Sequence, residues 1–183
     1  MGVEQAAAAS AVLAALSPAA IVSSDLQRAA MTADTLAALT GLTPRWDDRL
    51  REIHLGSWEG LTRDEVAEKF PDEWSGWISG DDAPRGGGET YAEVADRGAT
   101  CVLEALDATE GLVIAVTHGG TARSTIGLLL ELDPRSWWRL GPLGNCRWSV
   151  LVDGGQGWRL VEHNAGVPDV AVAVEERAGD DAR

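Results

Sequence analysis

The residues able to do chemistry fall into three short stretches. VIAVTHGGTARSTI, residues 113 to 126, sets His118 between an apolar run and two glycines. The run reads as a buried strand leading into a helix, and ligands of open α/β sheets sit beyond the carboxyl ends of such strands. The amides of Gly119 and Gly120 would then open the helix, free to hold an anion. Without Cβ atoms their backbone can come close to that anion. SSDLQRAAMTA, residues 23 to 33, carries Arg28 in the first turn of a helix that also follows a strand. A guanidinium grips a phosphate through two parallel hydrogen bonds. RLREIHLGSWEGLT, residues 49 to 62, holds Glu52, His54 and Glu59. A carboxyl held beside a phosphate can protonate a leaving oxygen. Residue types alone leave Glu52 and Glu59 as alternatives, with His54 a further candidate. Each residue also has a plain structural reading: a histidine bonded in a turn, a solvated helix arginine, a surface carboxylate.

The elements that must position these groups follow from propensity and periodicity. Residues 4 to 16 are strong helix formers with no breaker before Pro18. Residues 19 to 24 form a short apolar strand. Ser24 or Asp25 caps a helix that stops at Gly41, with Leu26, Ala30, Ala33 and Leu36 on its apolar face. A strand is expected near residues 44 to 46, and a short helix from Thr62 that Pro71 ends. Residues 72 to 88 read as a long polar, Gly-rich loop, in which Trp74 and Trp77 shape the leaving-group side. Helices are expected over residues 89 to 108 and 119 to 132, a strand over 112 to 117, and a short helix at DPRSWW. Residues 146 to 152 and 158 to 163 alternate like a hairpin around DGGQG. Strands alternating with helices imply an α/β domain with a mostly parallel sheet, packed as three α/β/α layers.

Composition bounds the rest. A chain of 183 residues suits one domain, here residues 1 to 169, followed by an acidic tail over residues 170 to 183. A formal charge of −14 argues against nucleic acid or an anionic membrane as partner, while a pocket can still be locally positive. No apolar stretch approaches a spanning helix. The Ala-rich start carries Glu4 and no basic residue, unlike a secretory signal, so a cytoplasmic bacterial protein is the expectation. Cys101 and Cys146 read as structural thiols. Of the eight tryptophans, Trp137 and Trp138 read as core and rim packing.

The three chemical stretches, in this order, resemble the histidine phosphatase superfamily, also called phosphoglycerate-mutase-like. RGGGE, residues 85 to 89, is similar to that family's entry to its long helix, and WRLVEHNAGV to its closing strand. The resemblance runs from residue 2 to about 168 and implies a phosphoglycerate-mutase-like fold. It implies that Arg28 and His118, with Gly119, bind the transferred phosphate, that Glu52 rather than Glu59 is the proton donor, and that His54 is a bystander. The implied reaction is phosphomonoester hydrolysis through a phosphohistidine on a small phosphorylated metabolite, with no metal or other cofactor. A zinc site from His54, His118 and His163 lacks any short-spaced pair.

One family feature has no counterpart. The superfamily opens with a strand ending in an arginine-histidine-glycine signature whose histidine is the nucleophile, and none of the three histidines here follows an N-terminal strand. The expectation is a gene start assigned too late, so that the first, central strand is missing. Its loss would expose sheet edges and consume much of a domain stability of about 5 to 15 kcal/mol, favouring poor solubility or pairing with another chain. A homodimer stays open. Taken literally, the chain also suits a pseudophosphatase that binds phosphate ligands without turnover. Mutase activity is disfavoured, because only Thr62 to Gly88 separates the acid segment from the long helix. Within the family, RLREIHLGSWEGLT and GPLGNCRWSVL are similar to actinobacterial glucosyl-3-phosphoglycerate phosphatases; acid and α-ribazole phosphatases stay open.

Overall fold

A computed structural model describes residues 2–167; the acidic tail expected over residues 170 to 183 lies outside them. The chain runs α1 (Gly2–Ala14), β1 (Ala20–Ser23), α2 (Gln27–Thr40), β2 (Arg45–Trp46), α3 (Arg63–Lys69), α4 (Pro71–Ser79), α5 (Tyr91–Asp107), β3 (Val113–Val116), α6 (Gly119–Leu129), β4 (Trp148–Asp153) and β5 (Trp158–Ala165). Short 3-10 turns fall at Asp48–Leu50, Gly56–Trp58 and Pro134–Leu140.

Strands β2, β1 and β3 form a parallel sheet in that order, and β4 pairs antiparallel with β5 in a separate hairpin. Alternation along β1 and β3 sends side chains to two faces. Ile21, Ile114 and Val116 pack with Ala33 and Leu36 of α2 and Leu13 of α1. Val22, Val113 and Ala115 pack with Cys101 and Ala105 of α5 and with Leu50. The sheet is therefore the middle of three layers. Among the described residues β3 is paired along one edge, to β1. Its four residues are all partly exposed, whereas three of the four in β1 are buried.

Helix ends follow local chemistry. Thr62 and Thr90 each close a capping box, with Glu65 and Glu93. Gly41 ends α2 at φ +73, the left-handed conformation that favours glycine. The cap expected at Ser24 or Asp25 is not there. Helix α2 begins after Leu26 with no side-chain cap, because Ser24 Oγ and the Asp25 carboxylate bond elsewhere. Ala29 joins Ala33 and Leu36 as the buried face of α2, where Leu26 and Ala30 were expected. The expected loop over residues 72 to 88 is half helix. Pro71 opens α4, with Asp72 and Glu73 in its first turn. Proline suits that position because its missing N–H would be unpaired there anyway, and the acids suit the helix dipole. Trp74 and Trp77 of α4 pack on Trp58, their ring centroids 6.4 and 6.2 Å away. Trp137 is buried against Gly127 and donates from Nε1 to Leu132 O at 3.0 Å, while Trp138 is exposed.

Helices α5 and α6 meet through Gly98, where a Cβ would run into Thr125 Oγ1. That hydroxyl is buried and has no hydrogen-bond partner. Alanine is the better helix former by about 1 kcal/mol, but overpacking a tight contact costs about 1–3 kcal/mol. Gly98→Ala is expected to lower stability in urea by about 1 kcal/mol. Adding Thr125→Ala should bring the double variant to wild-type stability or above. Additive losses in the two variants would contradict this packing.

Candidate active site

The register of the parallel sheet builds the site. Ser23 of β1 lies beside Val116 of β3, so the segments that follow them, Ser24–Arg28 and Thr117–His118, emerge together at the carboxyl edge. There Arg28 Nε donates to His118 Nδ1 at 3.0 Å, joining residues 90 apart in sequence. His118 Nε2 lies 2.8 Å from Ser24 Oγ. An arginine nitrogen can only donate, so Nδ1 is the acceptor, the ring proton sits on Nε2, and Nε2–H donates to Ser24. Ser24 Oγ also accepts from Leu26 N. His118 is 8 % exposed. Burial first, and the Arg28 charge second, push its pKa below the usual histidine value. The Nη nitrogens of Arg28 carry no protein hydrogen bond among the described residues, leaving donors for an incoming anion.

Glu52 approaches from the opposite side. Its Oε1 accepts from the amides of Ile53 and Thr121, both at 3.0 Å, and from Thr121 Oγ1 at 3.3 Å. Its Oε2 accepts from Gly120 N at 3.2 Å. Helix α6 does open at Gly119, with His118 as its N-cap. The anion on the Gly120 amide is the protein's own carboxylate, so that amide is not free as expected. Glycine is required at 120, since a Cβ there would sit 2.7 Å from Glu52 Oε1.

A second scaffold holds the acid segment. Arg97 of α5 grips Glu89 through Nε at 2.7 Å and Nη2 at 2.9 Å, and donates from Nη1 to Arg51 O at 2.8 Å. Glu89 in turn accepts from His54 N. The Gly-rich loop lies backbone to backbone on this segment: Ser57 N donates to Gly86 O at 2.9 Å, and Glu89 N to His54 O at 2.8 Å. A Cβ at Gly56 or Gly88 would collide with carbonyl oxygens.

The structure thus brings Arg28, His118 and the α6 N-terminus, which Glu52 occupies, to one end of the sheet. Arg28, Arg51, Glu52, His54 and Glu59 line a cleft of about 770 Å³. His118 is not on its wall; the ring bonds to Arg28, which is. Glu59 is 56 % exposed and faces His54 Nε2 at 3.4 Å, away from α6. His163 sits on the hairpin, bonded to Ser149 Oγ. Sequence reasoning missed Ser24 as a partner of His118, and Arg97 and Thr121 as supports of Glu52. The signal for Ser24 was its place at the end of an apolar strand, beside the Arg28 helix. Arg97 offered none beyond lying on the long helix.

The family model for the histidine phosphatase superfamily (branch 1) matches residues 1–166. The chain belongs to that superfamily. Glucosyl-3-phosphoglycerate phosphatase of Mycobacterium tuberculosis is 38% identical over 160 residues, covering 82% of this chain and 72% of the relative. The same-named protein of Mycolicibacterium vanbaalenii is 38% identical over 184 residues, covering 90% and 82%. The solved mycobacterial glucosyl-3-phosphoglycerate phosphatase with inorganic phosphate superposes with a TM-score of 0.82 at 38% identity, covering 90% of this chain and 85% of that one. By this resemblance the chain is a phosphatase of the histidine phosphatase family, with the phosphoglycerate-mutase-like α/β fold.

The lowered pKa of His118 ties stability to pH. Its ordinary value is 6.5. Below that, the unfolded chain takes up a proton that the folded site resists, so stability falls as pH drops from about 7 toward 5. Asp25 and Glu89, held low by Arg51 and Arg97, lose their contributions further down, through the ordinary carboxylate range. The melting temperature should therefore fall between pH 7.5 and pH 5.5, and His118→Gln should flatten that interval. An unchanged slope in the variant would contradict a buried neutral ring.

Proposed function

We propose that the protein serves phosphomonoester hydrolysis through a phosphohistidine, on a small phosphorylated metabolite. The carrying observation is the 3.0 Å contact of Arg28 with His118, beside a helix N-terminus that already binds a carboxylate. In this reading the phosphate replaces His118 as the partner of Arg28. Its oxygens then take the guanidinium donors and a proton on the freed imidazole nitrogen. A nucleophilic histidine belonging to a segment upstream of Met1 attacks phosphorus as the P–O ester bond breaks. Glu52 gives its proton to the leaving oxygen. Water then attacks the phosphohistidine, the P–N bond breaks, and Glu52 takes a proton from that water. Glu52 Oε2, with a single 3.2 Å hydrogen bond, is the oxygen suited to carry the proton. The unpaired edge and partial exposure of β3 support an additional strand delivering the nucleophile there. The names of the mycobacterial relatives make glucosyl-3-phosphoglycerate the first substrate to try.

A second reading, phosphate binding without turnover, is favoured by His118 being bonded at both ring nitrogens while His54 and His163 lie outside the Arg28–Glu52 cluster.

Turnover of p-nitrophenyl phosphate by this chain and by an upstream-extended version separates the readings. The extended chain is expected to be active and to form acid-labile protein phosphate. In it Arg28→Ala should lower kcat/KM about a hundredfold or more, as loss of a strong transition-state donor does. Silence of both chains, with phosphate still raising the melting temperature, would establish the second reading. Glu52→Gln should slow alkyl phosphates far more than activated aryl phosphates. Equal slowing would contradict its role as acid.

A further inference from the structure

Arg85 opens the Gly-rich loop and is 5 % exposed, yet its Nε and Nη2 are buried with no hydrogen-bond partner. Its guanidinium lies 3.9 Å from the centroid of the Tyr91 ring. Arg123 of α6 approaches the same ring at 5.6 Å and donates from Nη2 to Tyr91 Oη at 3.3 Å. Two cations thus share one ring, and among the described residues neither forms an ion pair with a carboxylate. Nearby acids are committed to backbone. Glu73 accepts from Gly86 N at 2.8 Å, and Asp82 from Tyr91 N and Ala92 N at 2.6 and 2.8 Å.

A ring face offsets only part of the hydration a buried guanidinium loses, and it leaves the in-plane N–H groups unserved. Nε and Nη2 form one edge of the guanidinium fork. This protein uses that edge three times to hold both oxygens of a carboxylate: Arg49 on Asp47, Arg51 on Asp25 and Arg97 on Glu89. Arg85 presents the same edge with no partner.

We propose that Arg85, Arg123 and Tyr91 form a second oxyanion site, separate from the Arg28–His118 pair, that binds a carboxylate or phosphate group of a small molecule. Two oxygens of the anion take the Arg85 Nε/Nη2 edge, and Arg123 supplies the second charge. Tyr91 stacks on the Arg85 guanidinium and fixes its plane. Arg123 lies one helical turn beyond Gly119 on α6, so the site stands beside the helix that carries the Glu52 contact.

Tyr91 is the single tyrosine of the chain, so ring-labelled tyrosine gives one NMR reporter in the full chain. D-glycerate and inorganic phosphate serve as separate probes, at ionic strength matched with chloride. At least one probe is expected to shift the Tyr91 signal saturably, and which one saturates tells carboxylate from phosphate. Arg28→Ala should leave that dissociation constant within twofold. Arg85→Met should weaken it at least tenfold, as should Arg123→Met, which alters a less buried residue if the first variant folds poorly. Shifts that never saturate for either probe would overturn the proposal. So would wild-type binding in the folded Arg85 or Arg123 variant, or loss of the response in Arg28→Ala.

Discussion

The hydrogen bond from Arg28 to His118 is where the whole arrangement converges, and it exists because two short strands lie parallel and in register. Strand β1 ends at Ser23 beside Val116 of β3. One residue on, Ser24 N still donates to Val116 O at 2.9 Å. From there each chain has only to turn into its helix for a guanidinium and an imidazole to meet. The same register carries Ser24 Oγ under the other ring nitrogen. Slippage of β1 by one residue would turn Ile21 and Val22 to opposite faces, breaking both apolar clusters and the site together. Packing and chemistry are thus specified by one constraint.

The acidic net charge hides a division of labour among the arginines. Arg49, Arg51 and Arg97 are neutralised by carboxylates and act as struts, Arg97 holding the backbone around Glu52 and Arg51 tying the acid segment to Asp25. Arg28 is bonded to an uncharged ring instead, and Arg85 to an aromatic face. A guanidinium without an anionic partner keeps its field for a ligand. An overall charge of −14 therefore coexists with local sites that attract anions.

Much of this was legible in the sequence, for identifiable reasons. Gly41, Thr62 with Glu65, and Thr90 with Glu93 are local signals whose partners lie within a few residues, and the helix boundaries followed them closely. His118 and Arg28 were legible because each follows an apolar strand. The errors lie where the deciding partner is distant. Ser24 looks like a helix cap until His118, 94 residues away, takes its hydroxyl. Gly120 looks like a free anion donor until Glu52 arrives from 68 residues upstream. Helix α4 was read as loop because its three glycines and prolines drew attention away from Trp74 and Trp77, which gain helical order by packing on Trp58. Family resemblance separated Glu52 from Glu59. In the structure, Glu52 reaches the amides of α6 and Glu59 stays exposed.

The central claim is that one imidazole and one guanidinium release each other to take a phosphate. Nitrogen-15 NMR of the histidine rings tests it directly, without turnover. At neutral pH the free protein should show His118 as a neutral ring protonated on Nε2 alone. Saturating inorganic phosphate should add a proton to Nδ1 as Arg28 turns to the anion. A His118 ring already doubly protonated in the free protein, or one whose two nitrogens stay unchanged at saturation, would contradict the account.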